Sequence, residues 1–138
     1  MRTRFAAVLL LLAGFAAGAL TQHTLTAQSA DKVFELRTYT APDGKLGELH
    51  ARFRNHTLRI FEKHGMTNVG YWVTQGPEPK LVYILAFPSK EARDASFKAF
   101  GADPDWQKVY ADSQKDGVKL AAKVESVFLS PADYSAIK

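Results

Sequence analysis

The chain has 138 residues, carries 18 Lys and Arg against 14 Asp and Glu, and contains no Cys. The absence of Cys excludes disulfides, thiolate nucleophiles, Cys-ligated zinc and iron–sulfur clusters. The formal net charge of +4 comes from basic residues interleaved with acids. We therefore expect neither a nucleic-acid partner nor an anionic membrane surface as a partner.

The N-terminus is typical of a secretory signal. Arg2 and Arg4 precede an apolar run of 16 residues, Phe5–Leu20, and a membrane-spanning helix needs about 20. Ala17-Gly18-Ala19 provides small residues at a possible cleavage site, and Leu25-Thr26-Ala27 is a weaker second choice. We assign residues 1–27 to a signal peptide with its lead-in, and expect an exported, periplasmic or extracellular protein. The alternative is an uncleaved N-terminal anchor; no membrane span is expected in the mature domain.

Residues 28–138 are expected to form a single domain, because they are too few for two. Hydrophobic alternation and turn residues predict four strands, at Val33–Thr40, Met66–Thr74, Leu81–Phe87 and Ala122–Leu129. A helix is predicted from Lys45 to His64, and a second helical segment, interrupted at Gly101, runs from Ser89 to near Gly117. The order β-α-β-β-α-β is that of the ferredoxin-like α+β fold, in which the first and third strands are central.

The first helix has a buried stripe, predicted from apolar residues that recur every three or four positions. The stripe consists of Leu46, Leu49, Phe53, Thr57, Ile60 and His64. Arg52, Arg54 and Arg59 lie outside it, with Glu48 and Glu62 among them. This mixture of charges favours a solvated face over an anion-binding site.

Alternation along the strands predicts which residues share a side of the sheet. The side predicted to receive the helices carries Phe34, Leu36, Val69, Tyr71, Val73, Val82, Ile84, Ala86, Val124 and Phe128. The opposite side carries Glu35, Arg37, Tyr39, Trp72, Tyr83, Leu85, Phe87, Glu125, Val127 and Leu129. So many large side chains exceed the apolar patch that a monomer usually exposes, so we expect a second copy to cover this side in a homodimer. Within that dimer, Arg37 would pair with Glu35 and Glu125.

Several segments together resemble the NIPSNAP family in its bacterial exported form. They are VFELRTYT, ARFRNHTLRIFEKHGMTNVGYW, LVYILAFPSKEA, FKAFGADPDWQKV and KVESVFLSPADYS, and the resemblance covers residues 32–138. It implies a dimeric α+β barrel in which two ferredoxin-like sheets face each other. The superfamily also contains cofactor-independent monooxygenases and haem-degrading enzymes. NIPSNAP proteins themselves have no firmly assigned reaction, so the resemblance does not supply a mechanism.

His56 is the candidate for a base or ligand, because it lies at the edge of the buried stripe beside Phe53 and Ile60. The alternative is a histidine at the core edge, bonded to a backbone carbonyl. His50 and His64 stand six residues before and eight after His56, whereas helical metal ligands are spaced by three or four. We therefore expect no metal site. Haem would need His56 or His64 as its axial ligand, and we expect no cofactor.

Five further residues could line a ligand cavity with His56: Arg37, Tyr39, Trp72, Tyr83 and Glu125. Tyr hydroxyls and an Arg guanidinium would suit an anionic or phenolic small molecule. The alternative is a structural ion pair within an aromatic dimer core, since interface centres are rich in Arg and aromatic residues.

Two functions remain open at this point. The first is a homodimeric module outside the cytoplasm that binds a small ligand or a protein partner, without catalysis. The second is a cofactor-independent monooxygenase-like enzyme acting on a small aromatic or quinol-like substrate. The enzyme requires a cavity beside His56 that contains at least one convergent hydrogen-bond donor.

Overall fold

The computed structural model describes residues 32–138 of the chain. The predicted signal peptide, residues 1–27, lies outside the described residues. Within the described part, no helix combines the length and the hydropathy needed to cross a membrane.

Four strands and four helices follow one another in the predicted order. Their bounds are β1 Val33–Thr40, α1 Leu46–Arg52, α2 Leu58–Lys63, β2 Thr67–Val73, β3 Leu81–Phe87, α3 Lys90–Ala102, α4 Pro104–Asp112 and β4 Lys123–Leu129. A π-helical turn, Phe53–Thr57, joins α1 directly to α2. The strands form an antiparallel sheet in the order β2-β3-β1-β4. The ferredoxin-like α+β prediction is therefore confirmed, with β1 and β3 at the centre.

Local capping residues fix where the helices begin and end. The side chain of Ser89 accepts a hydrogen bond from the backbone N–H of Ala92 at 3.1 Å and caps α3. Asp103 caps α4 by accepting from the N–H of Asp105 at 2.8 Å, and Pro104 occupies the first helical position. Gly65 has φ +75°, so the chain leaves α2 through a left-handed residue.

The predicted helical stripe packs on the sheet and forms the core. Leu49, Phe53, Thr57 and Ile60 are all buried. Phe53 meets the ring of Tyr83, from the sheet, edge-on at 5.2 Å between centroids. Aromatic residues form part of the buried core, and such edge-on pairs stabilise it beyond the area that they bury.

The helices cover the opposite side of β1 and β3 from the one predicted. Strand pairing places Arg37 beside Tyr83 and Glu35 beside Leu85. The side under the helices carries, from these two strands, Glu35, Arg37, Tyr39, Leu81, Tyr83, Leu85 and Phe87. Our assignment of Glu35, Arg37, Tyr39, Tyr83, Leu85 and Phe87 to the uncovered side was thus wrong, as was that of Phe34, Leu36, Val82, Ile84 and Ala86 to the covered side.

An internally paired ion network explains why the charged side of β1 can be buried. The Glu35 carboxylate accepts from Arg93 Nε at 2.7 Å and from Arg93 Nη2 at 2.7 Å. It also accepts from Arg37 Nη1 at 2.5 Å. Arg93 lies on α3, so this helix supplies a positive charge that offsets the free-energy cost of burying the Glu35 carboxylate.

The prediction of sides is confirmed for most of β2 and β4. Tyr71 and Val124 lie on the side of the sheet that carries the helices, paired with Tyr83 and Tyr39 respectively. Val69 is an exception: it sits at a β-bulge and lines a cavity on the uncovered side. We call the uncovered side the open side; it carries Phe34, Leu36, Val69, Trp72, Val82, Ile84, Glu125, Val127 and Leu129.

Glu125 does not pair with Arg37, contrary to the prediction. Arg37 stands opposite Ser126 across the β1–β4 pair, so Glu125 points to the other side of the sheet. There its carboxylate pairs with Lys123 Nζ at 2.9 Å, in an exposed position.

Candidate functional site

A cavity of about 580 Å³ lies between the α1–α2 helix and α4. Its polar wall residues come mainly from the π-helical turn and its flanks on one side, and from α4 on the other. They include Arg52, Asn55, His56, Arg59, Lys108 and Asp112. Ala51, Val109 and Leu120 add apolar surface. π-helical turns are rare and occur frequently at functional sites, and here the turn places both Asn55 and His56 in the wall.

We call this space the Arg52 cavity, because Arg52 is the buried charge in its wall. Only 6 % of its surface is exposed, so its prediction as part of a solvated face was wrong. Its guanidinium lies over the rings of Trp106 and Tyr110, at 5.3 Å and 5.8 Å from their centroids. Nη1 donates to Ser113 Oγ at 3.1 Å. Burial lowers the pKa of Arg52 from its ordinary value.

No carboxylate among residues 32–138 pairs with Arg52. Its Nε is fully buried and lacks a hydrogen-bond acceptor in that part of the chain. Nearby Asp112 is engaged by Lys108 at 2.6 Å and by Lys115 at 3.0 Å. Glu48, which we expected on a face with Arg52, pairs with Lys45 at 2.9 Å instead.

His56 is exposed in the cavity wall, in the place where its position in the sequence suggested a pocket. Its ring makes no hydrogen bond to any residue of the described range, so the alternative of a carbonyl-bonded histidine is not seen. Asn55 and Arg59 flank it in the wall, and both are exposed. The arrangement offers an imidazole, an amide and two guanidinium groups around one space.

Three other predicted site residues meet in a packed network under the helices. Arg37 Nε donates to Tyr83 Oη at 3.0 Å, and Arg37 Nη2 donates to Tyr39 Oη at 3.2 Å. Burial raises the pKa of Tyr83. The pKa of Glu35 is lowered, because hydrogen bonds from Arg93 and Arg37 outweigh the effect of burial. The donors of Arg37 are thus directed at protein groups.

The structure does not bring the six predicted site residues into one cavity. His56 lines the Arg52 cavity, and none of the other five does. Trp72 lies on the open side and is 53 % exposed. Glu125 also lies there, toward the other edge of the sheet.

The residue that sequence reasoning missed is Arg52. Its burial depends on α4, which packs beside the π-helical turn and which a helical wheel of the first helix alone cannot show. A usable signal was present: Trp106 and Tyr110 are four residues apart on α4, and adjacent aromatic faces at this spacing can hold a guanidinium.

His64, considered as a metal or haem ligand, is used in a contact between helices. Its Nε2 lies 2.7 Å from Asp103 Oδ2, and Lys63 Nζ lies 2.7 Å from the same oxygen. Hydrogen bonds from Lys63 and His64 lower the pKa of Asp103. These contacts tie the C-terminus of α2 to the cap of α4. In residues 32–138, no three His, Asp or Glu side chains converge as metal ligands would.

A second cavity, of about 390 Å³, lies on the open side under the C-terminal segment 130–137. Phe34, Ile84 and Leu129 form its floor, and Pro131 and Tyr134 contribute to its walls. The segment therefore covers one end of the open side and leaves Trp72 and Val127 exposed.

Comparison with known proteins identifies related chains. Residues 34–136 match the model of the NIPSNAP family. A NIPSNAP family protein of unknown function from Agrobacterium tumefaciens is 25% identical with TM-score 0.69, over 79% of this chain and 96% of that one. An uncharacterised NIPSNAP domain protein from Burkholderia xenovorans is 27% identical with TM-score 0.64, over 75% and 97%. A further A. tumefaciens NIPSNAP family protein is 23% identical with TM-score 0.69, over 78% and 99%. Comparison with curated proteins finds no match.

Proposed function

Since the chain belongs to the NIPSNAP family, we propose that it is an exported homodimeric module that binds a small molecule in the Arg52 cavity. The observation that carries this proposal is the cavity itself: about 580 Å³, with the buried Arg52 and the exposed His56 in one wall. Ligand pockets typically have volumes of about 300–1,000 Å³, an apolar lining and a few convergent polar groups. The Arg52 cavity combines these three properties.

The homodimer is supported by the apolar character of the open side. Trp72 is 53 % exposed, Val127 57 % and Leu129 37 %. Several large apolar side chains exposed on one side of a sheet are typical of an interface, and a second copy offers the same surface. The sides of β1 and β3 differ from those predicted, yet one uncovered apolar side remains, so the reason for proposing a dimer is retained.

Export is supported by the sequence of residues 1–27. Two arginines followed by 16 apolar residues and a small-residue site form the three parts of a secretory signal. We propose that the domain acts outside the cytoplasm, after cleavage near Ala19 or Ala27.

A second candidate function is catalysis in the same cavity. His56 lies in the wall without a hydrogen-bond partner in the described range, and Arg52 shares that wall. This is the combination that a cofactor-independent monooxygenase-like enzyme would need, with His56 as the base for a small phenol or quinol. Oxygen uptake with a small hydroquinone, faster than in the absence of protein and lost in His56→Ala, would favour this candidate. Equal uptake by the two proteins would exclude His56 catalysis of this substrate.

Native mass spectrometry of the protein, purified from cells that express the full chain, tests the proposal. We expect twice the mass of a chain lacking its first 19 or 27 residues, together with a small molecule released on activation. The denatured sample is the control and gives the processed single-chain mass. A single-chain native mass contradicts the dimer, a full-length mass contradicts cleavage, and a native mass without an adduct contradicts the bound ligand.

A further inference from the structure

The guanidinium of Arg52 carries a buried positive charge with no carboxylate to neutralise it among residues 32–138. Nη1 is engaged by Ser113, Nε lacks an acceptor, and Nη2 has none in the described range. Removing one partner of a buried ion pair is strongly destabilising, because the remaining charge is uncompensated. Among residues 32–138, no carboxylate compensates the charge of Arg52 in this way.

Aromatic faces compensate this charge in part. Trp106 and Tyr110 lie under the guanidinium and attract it through their ring quadrupoles. They occupy its faces and leave its edge without hydrogen bonds. Nε is buried from solvent, so the carboxylate of a ligand would reach the guanidinium through Nη2. Arg is better suited than Lys to such a contact, because its planar guanidinium matches the geometry of a carboxylate.

The other charges around the cavity reinforce the preference for an anion. Asp112 is neutralised by two lysines, and Glu48 pairs with Lys45. Asp105 has Lys63 at 3.8 Å. Arg59, in contrast, has no carboxylate partner in the described residues, so the two cations that are not already paired are both arginines.

We propose that the ligand of the Arg52 cavity is a small organic acid whose carboxylate pairs with Arg52 and whose apolar body contacts Ala51, Val109 and Leu120. This assignment of a ligand class rests on the proposed function, because it requires that the cavity binds a small molecule. An apolar body is included because these three residues provide a surface that a bare inorganic anion would not use.

NMR titration of the protein, expressed from the full chain and purified as for native mass spectrometry, tests this inference with three probes. Sodium benzoate carries the carboxylate, benzamide is its neutral counterpart of similar shape, and inorganic phosphate is an anion without an apolar body. We expect benzoate to bind at least about tenfold more tightly than benzamide, since one charged hydrogen bond corresponds to this ratio or more. The signal of the Trp106 indole N–H should shift, because Trp106 contacts Arg52.

Arg52→Gln should remove the preference for benzoate and leave benzamide binding in place. Arg54→Gln is the matched control, because Arg54 is exposed, lies two residues away and does not line the cavity; its preference should equal that of the wild type. If Arg52→Gln does not fold, Arg52→Lys keeps the charge without the planar edge, and we expect it to weaken benzoate binding. The wild-type comparison of benzoate with benzamide needs no variant.

The outcomes separate the ligand class from the function. Equal binding of benzoate and benzamide at the Trp106 site would overturn the organic acid while retaining small-molecule binding. Phosphate binding as tight as that of benzoate would overturn the apolar body. Retention of the benzoate preference by Arg52→Gln would overturn the role of Arg52. Absence of binding by all three probes would count against the acid, whereas the adduct seen by native mass spectrometry would still test the proposed function independently.

Discussion

Glu35 is the residue on which the buried ion network depends. It is fully buried and receives hydrogen bonds from Arg37 and Arg93. Glu35→Gln should lower the free energy of unfolding by about 3–5 kcal/mol, because the largely buried Arg37 loses its counter-charge and Arg93 keeps only Asp94. Urea unfolding at pH 7 measures this change. Glu78→Gln, in an exposed loop, is the control, with an expected change below about 0.5 kcal/mol.

The same carboxylate gives the stability a defined dependence on pH. The pKa of Glu35 in the folded protein is lowered from its ordinary value of 4.5, so the unfolded chain takes up the proton first as the pH falls. The contribution of Glu35 is therefore complete above about pH 4.5 and is lost as the pH falls below that value toward the folded pKa. Unfolding curves of Glu35→Gln should depend less on pH in this acid range. An identical slope for both proteins would contradict the network as the cause.

At the scale of single residues, the burial of Arg52 and Glu35 could not be predicted from the sequence. Arg52 was predicted outside the helix–sheet core from its place outside the helical stripe, and Glu35 from alternation along its strand. Neither pattern shows compensating groups that come from distant elements. Arg93, which neutralises Glu35, is 58 residues away in the chain. Trp106, which covers Arg52, is equally remote. By contrast, His56 could be placed near a cavity from its neighbours in the helix alone.

At the scale of an element, two glycines of the first helix lead to opposite predictions for the effect of an Ala substitution on stability. Gly65 has φ +75°, and an added Cβ would meet only an ordinary contact at 3.8 Å from Ser96 Oγ. The free-energy cost of replacing Gly65 is thus one of backbone strain, and Gly65→Ala should destabilise the protein by about 1–2 kcal/mol. Gly47 lies inside α1 with open space around it. Gly47→Ala should stabilise by about 0.5–1 kcal/mol, because Ala loses less backbone entropy on folding.

Thermal or urea unfolding of the two variants, side by side with the wild type, checks this pair. A fall in stability for both would show that α1 tolerates no side chain at Gly47. No fall for Gly65→Ala would show that the chain leaves α2 by a different backbone path.

The bounds of elements were predictable, whereas the sides of the sheet were predictable only in part. β1 and β3 have the predicted bounds, because alternation and turn residues are local properties. Their orientation depends on pairing across the whole molecule: the covered side of β1 and β3 includes Tyr83 and Glu35, and Glu35 pairs there with Arg93 of α3. The π-helical turn has no sequence marker of comparable strength, so it was not predicted.

At the scale of the whole molecule, the helices lie on one side of the sheet, and the C-terminal segment covers only one end of the open side. A central and lateral part of the open side is therefore uncovered. Trp72 and Val127 mark this part on opposite edge strands of the sheet. The Arg52 cavity lies on the other side of the sheet, among the helices. A partner copy on the open side would therefore leave the cavity accessible, so assembly and ligand binding can be tested by independent substitutions.

Val127→Glu tests the assembly, because it places a charge within the proposed dimer interface. Val127 is 57 % exposed and faces the open side, whereas Val124, on the same strand, is 46 % exposed and faces the helices. Sedimentation velocity should show a dimer for the wild type, a monomer for Val127→Glu and a dimer for the matched control Val124→Glu. Burial of an unpaired carboxylate costs several kcal/mol in each copy, enough to dissociate a dimer of ordinary affinity. A wild-type chain that sediments as a monomer at every concentration, or a Val127→Glu chain that remains a dimer, would show that another surface or no surface joins the copies.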